Sequence, residues 1–255
     1  MNALRSLVIV FSMYSRIPTP AVEWTRPAMR LSMAFLPLVG FVQGLLAVAF
    51  GYIALALELP EPLVAACLAL LPVLVNGGIH LDGLADASDA LASHQSRERK
   101  LEILKDSHIG AFGAIAIACH LILSCAAYAS MELSWQTLWA LPCVFALSRA
   151  ASAWAVVSWP KARKEGTVKG FSDASSRTPT YVLLLLFALA ASFALLALQG
   201  AVGMLVIAAL LLALLQYRYT AMKHFGGVSG DVAGWFLENA ELYMLVALAI
   251  GGCLS

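Results

Sequence analysis

The chain has 255 residues, with 16 Lys and Arg against 15 Asp and Glu, a net charge of +1. It is 61% hydrophobic and only 12% charged, with a mean hydropathy of +0.84. Soluble domains run about 45–50% apolar and about 25% charged, so a water-soluble globule is excluded, and so even a balance of charge makes no case for a nucleic-acid partner.

The first residues, MNALRSLVIVFSMYS, place a basic residue before an apolar run, as a signal peptide does. No small-residue cleavage site follows; Tyr14, Ser15, Arg16, Ile17 and Pro18 come instead. The segment predicts a short interfacial helix, with Pro18, Pro20 and Pro27 breaking the chain before the first full span. Mostly apolar runs then recur at residues 31–57, 63–75 extended to 78, 111–130, 137–159, 181–198, 201–217 and 233–254, the last with polar first turns. Each reaches or nears the length of about 20 helical residues that a hydrocarbon core requires. None alternates with period two, and lipid leaves no partner for an open backbone, so helices are expected. The fold class is all-α: a polytopic membrane bundle of about seven spans. No repeat or linker divides it, so residues 1–255 read as a single transmembrane domain. Cys67, Cys119, Cys125, Cys143 and Cys253 lie in apolar runs without a CxxC pair and are expected to be small packing residues.

Threading seven spans alternately puts the N-terminal arm and residues 79–110, 160–180 and 218–232 on one side. Of the 16 Lys and Arg, all but Arg149 fall on that side, and Arg149 lies inside a span. The other side carries Glu58, Glu61 and Glu132. The positive-inside rule puts residues 79–110 in the cytoplasm. The expected location is the cytoplasmic (inner) membrane, with lipid around the spans.

The chemistry concentrates in NGGIHLDGLADASDALASHQSRERKLEILKDSHIGAFG, residues 76–113. Asp82, Asp86 and Asp89, at i, i+4 and i+7, share a helical sector of about 60°. In a soluble helix that would be a solvated face. Here Ile79, Leu81, Leu84, Ala85, Ala87, Ala90 and Leu91 surround the acids, so the helix is partly buried and the carboxylates need partners. All-oxygen ligands suit Mg²⁺, often shared with substrate phosphates. Asn76 precedes a Gly77–Gly78 pair, a broken helix end where backbone could meet a ligand. Arg97, Arg99 and Lys105 are candidate phosphate contacts, although a basic surface helix paired with Glu98 and Glu102 explains them as well. Asp106 and Ser107 sit close to the next span. His94 and His108 read as solvated, and His120 as a packing residue.

Arg149, within a span, needs an aspartate or a substrate phosphate as partner. Arg163 lies in a basic loop, KARKEGTVKGFSDASSRTP. Asp231, Glu238 and Glu241 follow a glycine-rich turn at i, i+7 and i+10, about 80° of one helix face. The helix dipole explains an acid at Asp231 but not the other two. The two acidic stripes are expected to form one site, with Asp231 within about 10 Å of the first cluster.

Three blocks carry a resemblance: GGIHLDGLADASDAL (77–91), RERKLEILKDSHIGAFG (97–113) and GGVSGDVAGWFLENAEL (226–242). SRIPTP, FLPLVGFVQG, LSR at 147–149 and ARKEG at 162–166 support it. In this order they resemble the cobalamin synthases, the adenosylcobinamide-GDP ribazoletransferases. Asp89–Ala90 and Lys164 depart from the family's pattern without removing a carboxylate. The resemblance implies that a hydroxyl of α-ribazole, or of its 5′-phosphate, attacks the cobinamide-side phosphorus of adenosylcobinamide-GDP and that GMP leaves. It implies Mg²⁺ held by Asp82, Asp86 and Asp89, with Asp89 as candidate base. Lys105, Arg149 and Arg163 are candidates for the phosphates. Asn76, His80, Arg97, Arg99, Asp106, Asp231, Glu238 and Glu241 complete the expected substrate contacts. A homo-oligomer is compatible with the chain.

Two other classes use intramembrane acids. A CDP-alcohol phosphotransferase would carry an arginine soon after the first DG, but Asp82–Gly83 is followed by Leu84, Ala85 and Asp86. A cation transporter would place acids near mid-span in related halves, and no repeat is seen.

The charge pattern makes the topology testable. With the native cysteines replaced, a cysteine at Ser96 or Ser172 is expected to react with impermeant thiol reagents only from the cytoplasmic side, and one at Ser134 only from outside. Reversed labelling would overturn the orientation.

Overall fold

The computed structural model describes residues 2–254, with side chains to Gly252. Among the described residues there is no strand, only helices and an isolated bridge between Lys161 and Val228. Six helices are long and apolar enough to cross a membrane. They are α3 (Ser32–Ala56), α7 (Ala111–Ala129), α8 (Trp135–Ser158), α10 (Arg177–Gln199), α11 (Ala201–Thr220, continued by a π-helical turn, Ala221–Phe225) and α12 (Gly230–Leu254). A seventh apolar unit is the pair α4 (Glu61–Asn76) and α5 (Ile79–Ala92), bent by 95° at its break. Shorter helices are α1 (Asn2–Tyr14), α2 (Arg26–Met29), α6 (Arg97–Ile103) and α9 (Thr167–Ala174). The expected all-α bundle of about seven spans is what forms. Cys67, Cys119, Cys125 and Cys143 are free thiols; the Cys253 side chain lies outside the described residues.

The bend follows from local chemistry. Gly77 and Gly78 both take left-handed backbone, with φ of 70° and 82°. Asn76 Oδ1 accepts from Gly78 N at 2.7 Å, a side-chain turn that ends α4. A Cβ on Gly77 would lie 2.5 Å from Arg16 Nε, and Arg16 N donates to Val75 O at 2.7 Å. The N-terminal arm thus crosses the break and fixes it.

The 13 residues of α1 reach about 20 Å, short of a hydrocarbon core of about 30 Å. The helix is pinned through Ser6. Its hydroxyl donates to Ala28 O at 2.5 Å and accepts from Leu31 N at 3.2 Å.

α8 is the central, almost wholly buried helix. α3 packs on it backbone to backbone because Gly40 and Gly44 present no side chain, and Gly51 leaves room for the Leu138 side chain. A Cβ on Gly40 would lie 2.2 Å from Phe145 O, and one on Gly44 2.3 Å from Pro142 Cα. α10 and α11 are peripheral, with Leu185, Leu189, Phe193, Leu212 and Leu215 facing outward. At the basic end, Ala162 N donates to Val228 O at 3.0 Å and Val228 N to Pro160 O at 2.8 Å, joining two loops.

Gly44→Val would force a side chain against backbone atoms that cannot rotate away. Its cost is expected to be on the order of 3 kcal/mol, read as a lower melting temperature in detergent. Gly170, inside α9, meets nothing within 4 Å, so Gly170→Ala is expected to raise stability by about 0.5–1 kcal/mol.

Candidate active site

The site forms where α5 crosses α12. A Cβ on Gly83 would lie 2.7 Å from Asp231 O, and one on Gly234 3.0 Å from His80 O and 3.3 Å from Gly83 Cα. Two bare glycines therefore let the backbones touch. That contact brings Asp231 to the aspartate face of α5. Asp86 stands within electrostatic reach of Asp82, Asp231 and Asp89, and of the Arg163 guanidinium.

The four carboxylates have different partners. Asp89 accepts from Gly110 N at 2.7 Å and Gly113 N at 2.9 Å, one bond to each oxygen. It caps the free amides at the start of α7 from another helix. Asp231 lies 3.8 Å from the Arg163 guanidinium and accepts from Ser229 Oγ at 3.4 Å. Asp82 and Asp86 accept no side-chain hydrogen bond from the described residues, and Asp82 is exposed.

A cleft opens beside Asp82 and Asp231 in two adjacent parts that share Thr167, Val168, Gly230 and Asp231. The outer part, about 210 Å³, is lined by Lys161, Arg163 and Lys169. The inner part, about 180 Å³, carries Asp82, His80 and Tyr14 among apolar side chains. Burial, and then the neighbouring Lys169 and Arg177, hold the Lys161 ammonium below the usual lysine range, with Asp173 opposing them. An anion in the outer part would relieve that repulsion. Lys169 also pairs with Asp173 at 2.5 Å.

Of the other residues expected from the sequence, His80 and Arg163 line the cleft, and Asn76, Arg97, Arg99, Lys105 and Asp106 do not. Asn76 Nδ2 meets His80 Nδ1 at 3.3 Å, and both residues are buried. Arg163 donates to Leu101 O at 3.1 Å, tying the loop after α8 to α6. Arg97 lies across Gly226, where a Cβ would sit 1.9 Å from its guanidinium carbon. Arg99 pairs with Glu102 on an exposed face at 2.7 Å, and Lys105 is exposed. Asp106 accepts from His108 N and meets its Nδ1 at 2.8 Å; these bonds hold its carboxyl below the usual range.

The second acidic stripe divides. Asp231 joins the α5 cluster, while Glu238 and Glu241 turn into the bundle. Glu241 pairs with the fully buried Arg149, which also donates to Gln43 Oε1 at 3.0 Å; Ser148 donates to Glu241 at 2.9 Å. Glu238 pairs with His120 Nε2 at 2.8 Å. Two acids about one turn apart on a helix that also packs against α7 and α8 find different partners. The sequence reading missed Lys161, Lys169 and Tyr14 in the cleft and the partners Gln43 and His120. A basic loop and a span histidine were the only signals they gave.

Fold and cleft together define a polytopic membrane protein with acids and cations gathered at one end, an arrangement suited to phosphate-bearing substrates. Comparison with known sequences narrows this class. The chain belongs to the cobalamin-5-phosphate synthase family, whose model matches residues 6–249. A relative from Lachnoclostridium phytofermentans, named adenosylcobinamide-GDP ribazoletransferase, is 36% identical over 98% of this chain and 95% of its own length. Proteins of the same name from Desulfitobacterium hafniense and Geotalea daltonii are 36% and 33% identical. These matches cover 96% and 98% of this chain, and 97% and 99% of the relatives. No solved structure matches.

The hydrogen bonds separate the aspartates by role. Asp89→Asn removes a charge from the start of α7 and one acceptor from two amides. The expected loss is about 1–3 kcal/mol, seen as a lower melting temperature. Asp82→Asn is expected to leave melting unchanged. Equal melting of both variants and the parent would refute the capping role.

Proposed function

We propose that this chain joins adenosylcobinamide-GDP to α-ribazole, or to its 5′-phosphate, with release of GMP, in the cytoplasmic membrane with its cleft open to the cytoplasm. The observation that carries the reading is the cleft itself, where Asp82 lines the inner part and Asp231 both parts, next to a mouth of Lys161, Arg163 and Lys169, with Asp86 within electrostatic reach of both acids. The family match and the names of the relatives supply the substrates. The basic residues gathered at that end support the orientation. Lipid covers the outward apolar faces of α10 and α11.

Phosphoryl transfer depends mostly on positioning and charge stabilisation. The cationic mouth binds the diphosphate of adenosylcobinamide-GDP. Arg163, beside Asp231 and bonded to α6, is held where it reaches both the acids and the mouth. A ribose hydroxyl oxygen forms the new bond to the cobinamide-side phosphorus. The bond from that phosphorus to the oxygen of GMP breaks, and GMP departs with the electron pair. Asp82 or Asp86 takes the hydroxyl proton, since neither carboxylate accepts a hydrogen bond from the described residues and Asp82 lines the cleft with Asp86 within its electrostatic reach. Asp89 holds the start of α7 in place.

The acids also suit Mg²⁺. No three His, Cys, Asp or Glu among the described residues lie close enough to hold an ion alone. Mg²⁺ is commonly bound by one or two carboxylates, with waters and substrate phosphates completing its shell, and Asp82 and Asp86 are free to serve. Bound there, it would offset charge on the diphosphate.

Turnover of adenosylcobinamide-GDP and α-ribazole, followed by GMP release, tests the reading. EDTA is expected to stop it and Mg²⁺ to restore it. Asp82→Asn and Asp86→Asn are each expected to lower the rate by about 100-fold or more without changing melting. Parental rates in both variants would overturn the assignment of these acids.

A further inference from the structure

A second cavity lies away from the cleft, where α10 and α11 meet α8. It is an apolar groove of about 350 Å³. Its walls run from Leu147 to Trp154 on α8, from Tyr181 to Ala188 on α10 and from Leu210 to Leu214 on α11. These stretches lie in the halves of the three helices nearest the basic end, since α8 ends at Ser158, α10 begins at Arg177 and α11 ends at Thr220. The groove exists because Ala150, Ala151 and Ala188 are short where their neighbours in the wall are leucines. It opens sideways, with Trp154 and Leu185 on its rim 42% and 59% exposed. On a spanning bundle that side faces lipid. From 147 to 154 the helix rises about 10 Å, at about 1.5 Å per residue. The groove thus fits within the roughly 15 Å that one leaflet contributes to a hydrocarbon core of about 30 Å.

The end of the groove nearest the loops is aromatic and then cationic. Trp154 meets Trp159 edge-on, with ring centres 5.8 Å apart. The Arg218 guanidinium lies over Trp159, 5.4 Å from the ring centre. Arg218 stands one turn beyond Leu214 on α11, and Arg177 one turn before Tyr181 on α10. Both arginines are exposed, and neither has a carboxylate partner among the described residues. Ser158 Oγ donates to the Tyr181 hydroxyl at 3.3 Å, joining α8 to α10 at the same level. Tryptophan and tyrosine favour the depth where hydrocarbon meets headgroups. The rings therefore mark that level, and the Arg218 guanidinium stands just outside it, where lipid phosphates lie. The planar guanidinium fork matches phosphate oxygens.

We propose that this groove is a binding site for one anionic phospholipid, with an acyl chain between α8, α10 and α11 and the headgroup phosphate on Arg218 and Arg177 at its mouth. The site is separate from the substrate cleft and does not depend on the reaction proposed for it. The chain fills the space that the three alanines leave, and the phosphate is the anion that the two guanidinium groups lack. Basic sites between spans select anionic headgroups in this way, whereas a zwitterionic headgroup brings its own cation to the same place. A helix of a second copy, about 10 Å across with its side chains, is too wide for the groove, whose length is under two helical turns. The bound lipid braces the peripheral α10 against α8 and α11. It does so beside Trp159, from which the chain runs on to Lys161 and Arg163 at the cleft.

Native mass spectrometry of the full chain, delipidated in detergent and given phosphatidylglycerol and phosphatidylcholine with the same acyl chains, reads the preference. The parent is expected to retain one phosphatidylglycerol, bound about 20-fold more tightly than phosphatidylcholine. Arg218→Gln, at an exposed position, is expected to cut that preference about 5-fold, and Arg177→Gln added to it to remove the rest. Arg5→Gln makes the same change of charge on α1, which packs against α2 and α3, and is expected to keep the preference. Ala188→Trp fills the groove and is expected to lower retention of both lipids. Glycerol phosphate, a headgroup without a chain, is expected not to displace the lipid from the parent. The two measurements on the parent need no folding control. Equal binding of the two lipids by the parent would overturn the site, as would displacement by glycerol phosphate or a second copy bound in place of lipid. So would a preference that survives the loss of both arginines, or lipid retention unchanged in a folded Ala188→Trp variant.

Discussion

The whole site depends on α5 and α12 touching at Gly83 and Gly234. A side chain on Gly83 would meet the Asp231 carbonyl at 2.7 Å. Separate the helices by one methyl group and Asp231 moves off the aspartate face of α5, taking with it one wall of both cavities. Lipid supplies little hydrophobic drive between spans, so such contacts rest on close packing and on polar bonds across helices. Both are present here. The glycines set the distance, and Asp89 bonds α5 to the start of α7 from the other side. Repulsion among the acids is the opposing force. Arg163 offsets part of it, and the cations of the mouth stand next to it.

The spans were legible because burial in lipid demands long apolar runs, and the seven runs became six crossing helices and one bent pair. The break at Gly77–Gly78 was legible too, since two glycines after an asparagine admit few other conformations. The meeting of Asp231 with the α5 cluster could be expected from the pattern of acids. Glu238 and Glu241 could not be separated from Asp231 in the same way. Helical spacing places three acids on one face but does not say which neighbour each will meet. That depends on Arg149 and His120, residues from α8 and α7 far away in sequence. Lys161 and Lys169 were hidden for a related reason. A loop of mixed charge says nothing of its fold until Val228 pairs with it.

α12 carries two kinds of acid with two physical roles. Asp231 opens the helix at the cleft, where it lines both cavities. Glu238 and Glu241 lie seven and ten residues further on, inside the bundle, each with a basic partner. A buried pair is weak evidence for stability by itself, because desolvation cancels much of the attraction. Its effect on specificity is clearer. Arg149 must find Glu241 and Gln43 together, and His120 must find Glu238, or a charge is left alone in an apolar interior. Those requirements fix the rotation of α12 against α7 and α8, and of α8 against α3. The same rotation sets Gly234 against Gly83.

The polarity of the cleft then follows from the order of its elements. The loop after α8 brings Lys161 and Arg163 to the mouth, and α9 brings Lys169. The crossing of α5 and α12 comes next and brings the carboxylates. Deeper, α1 and the first turns of α3 close the cavity with Met13, Tyr14, Met33 and Leu36. Cations, acids and apolar wall succeed one another from the mouth inward. Phosphate charge is matched at the mouth, beside Lys161, Arg163 and Lys169, and would lose that pairing against the methionines of the inner wall. The gradient of the cleft thus sets where phosphate charge can lie before any single hydrogen bond is made: at the cationic mouth, next to Asp231, which lines both parts.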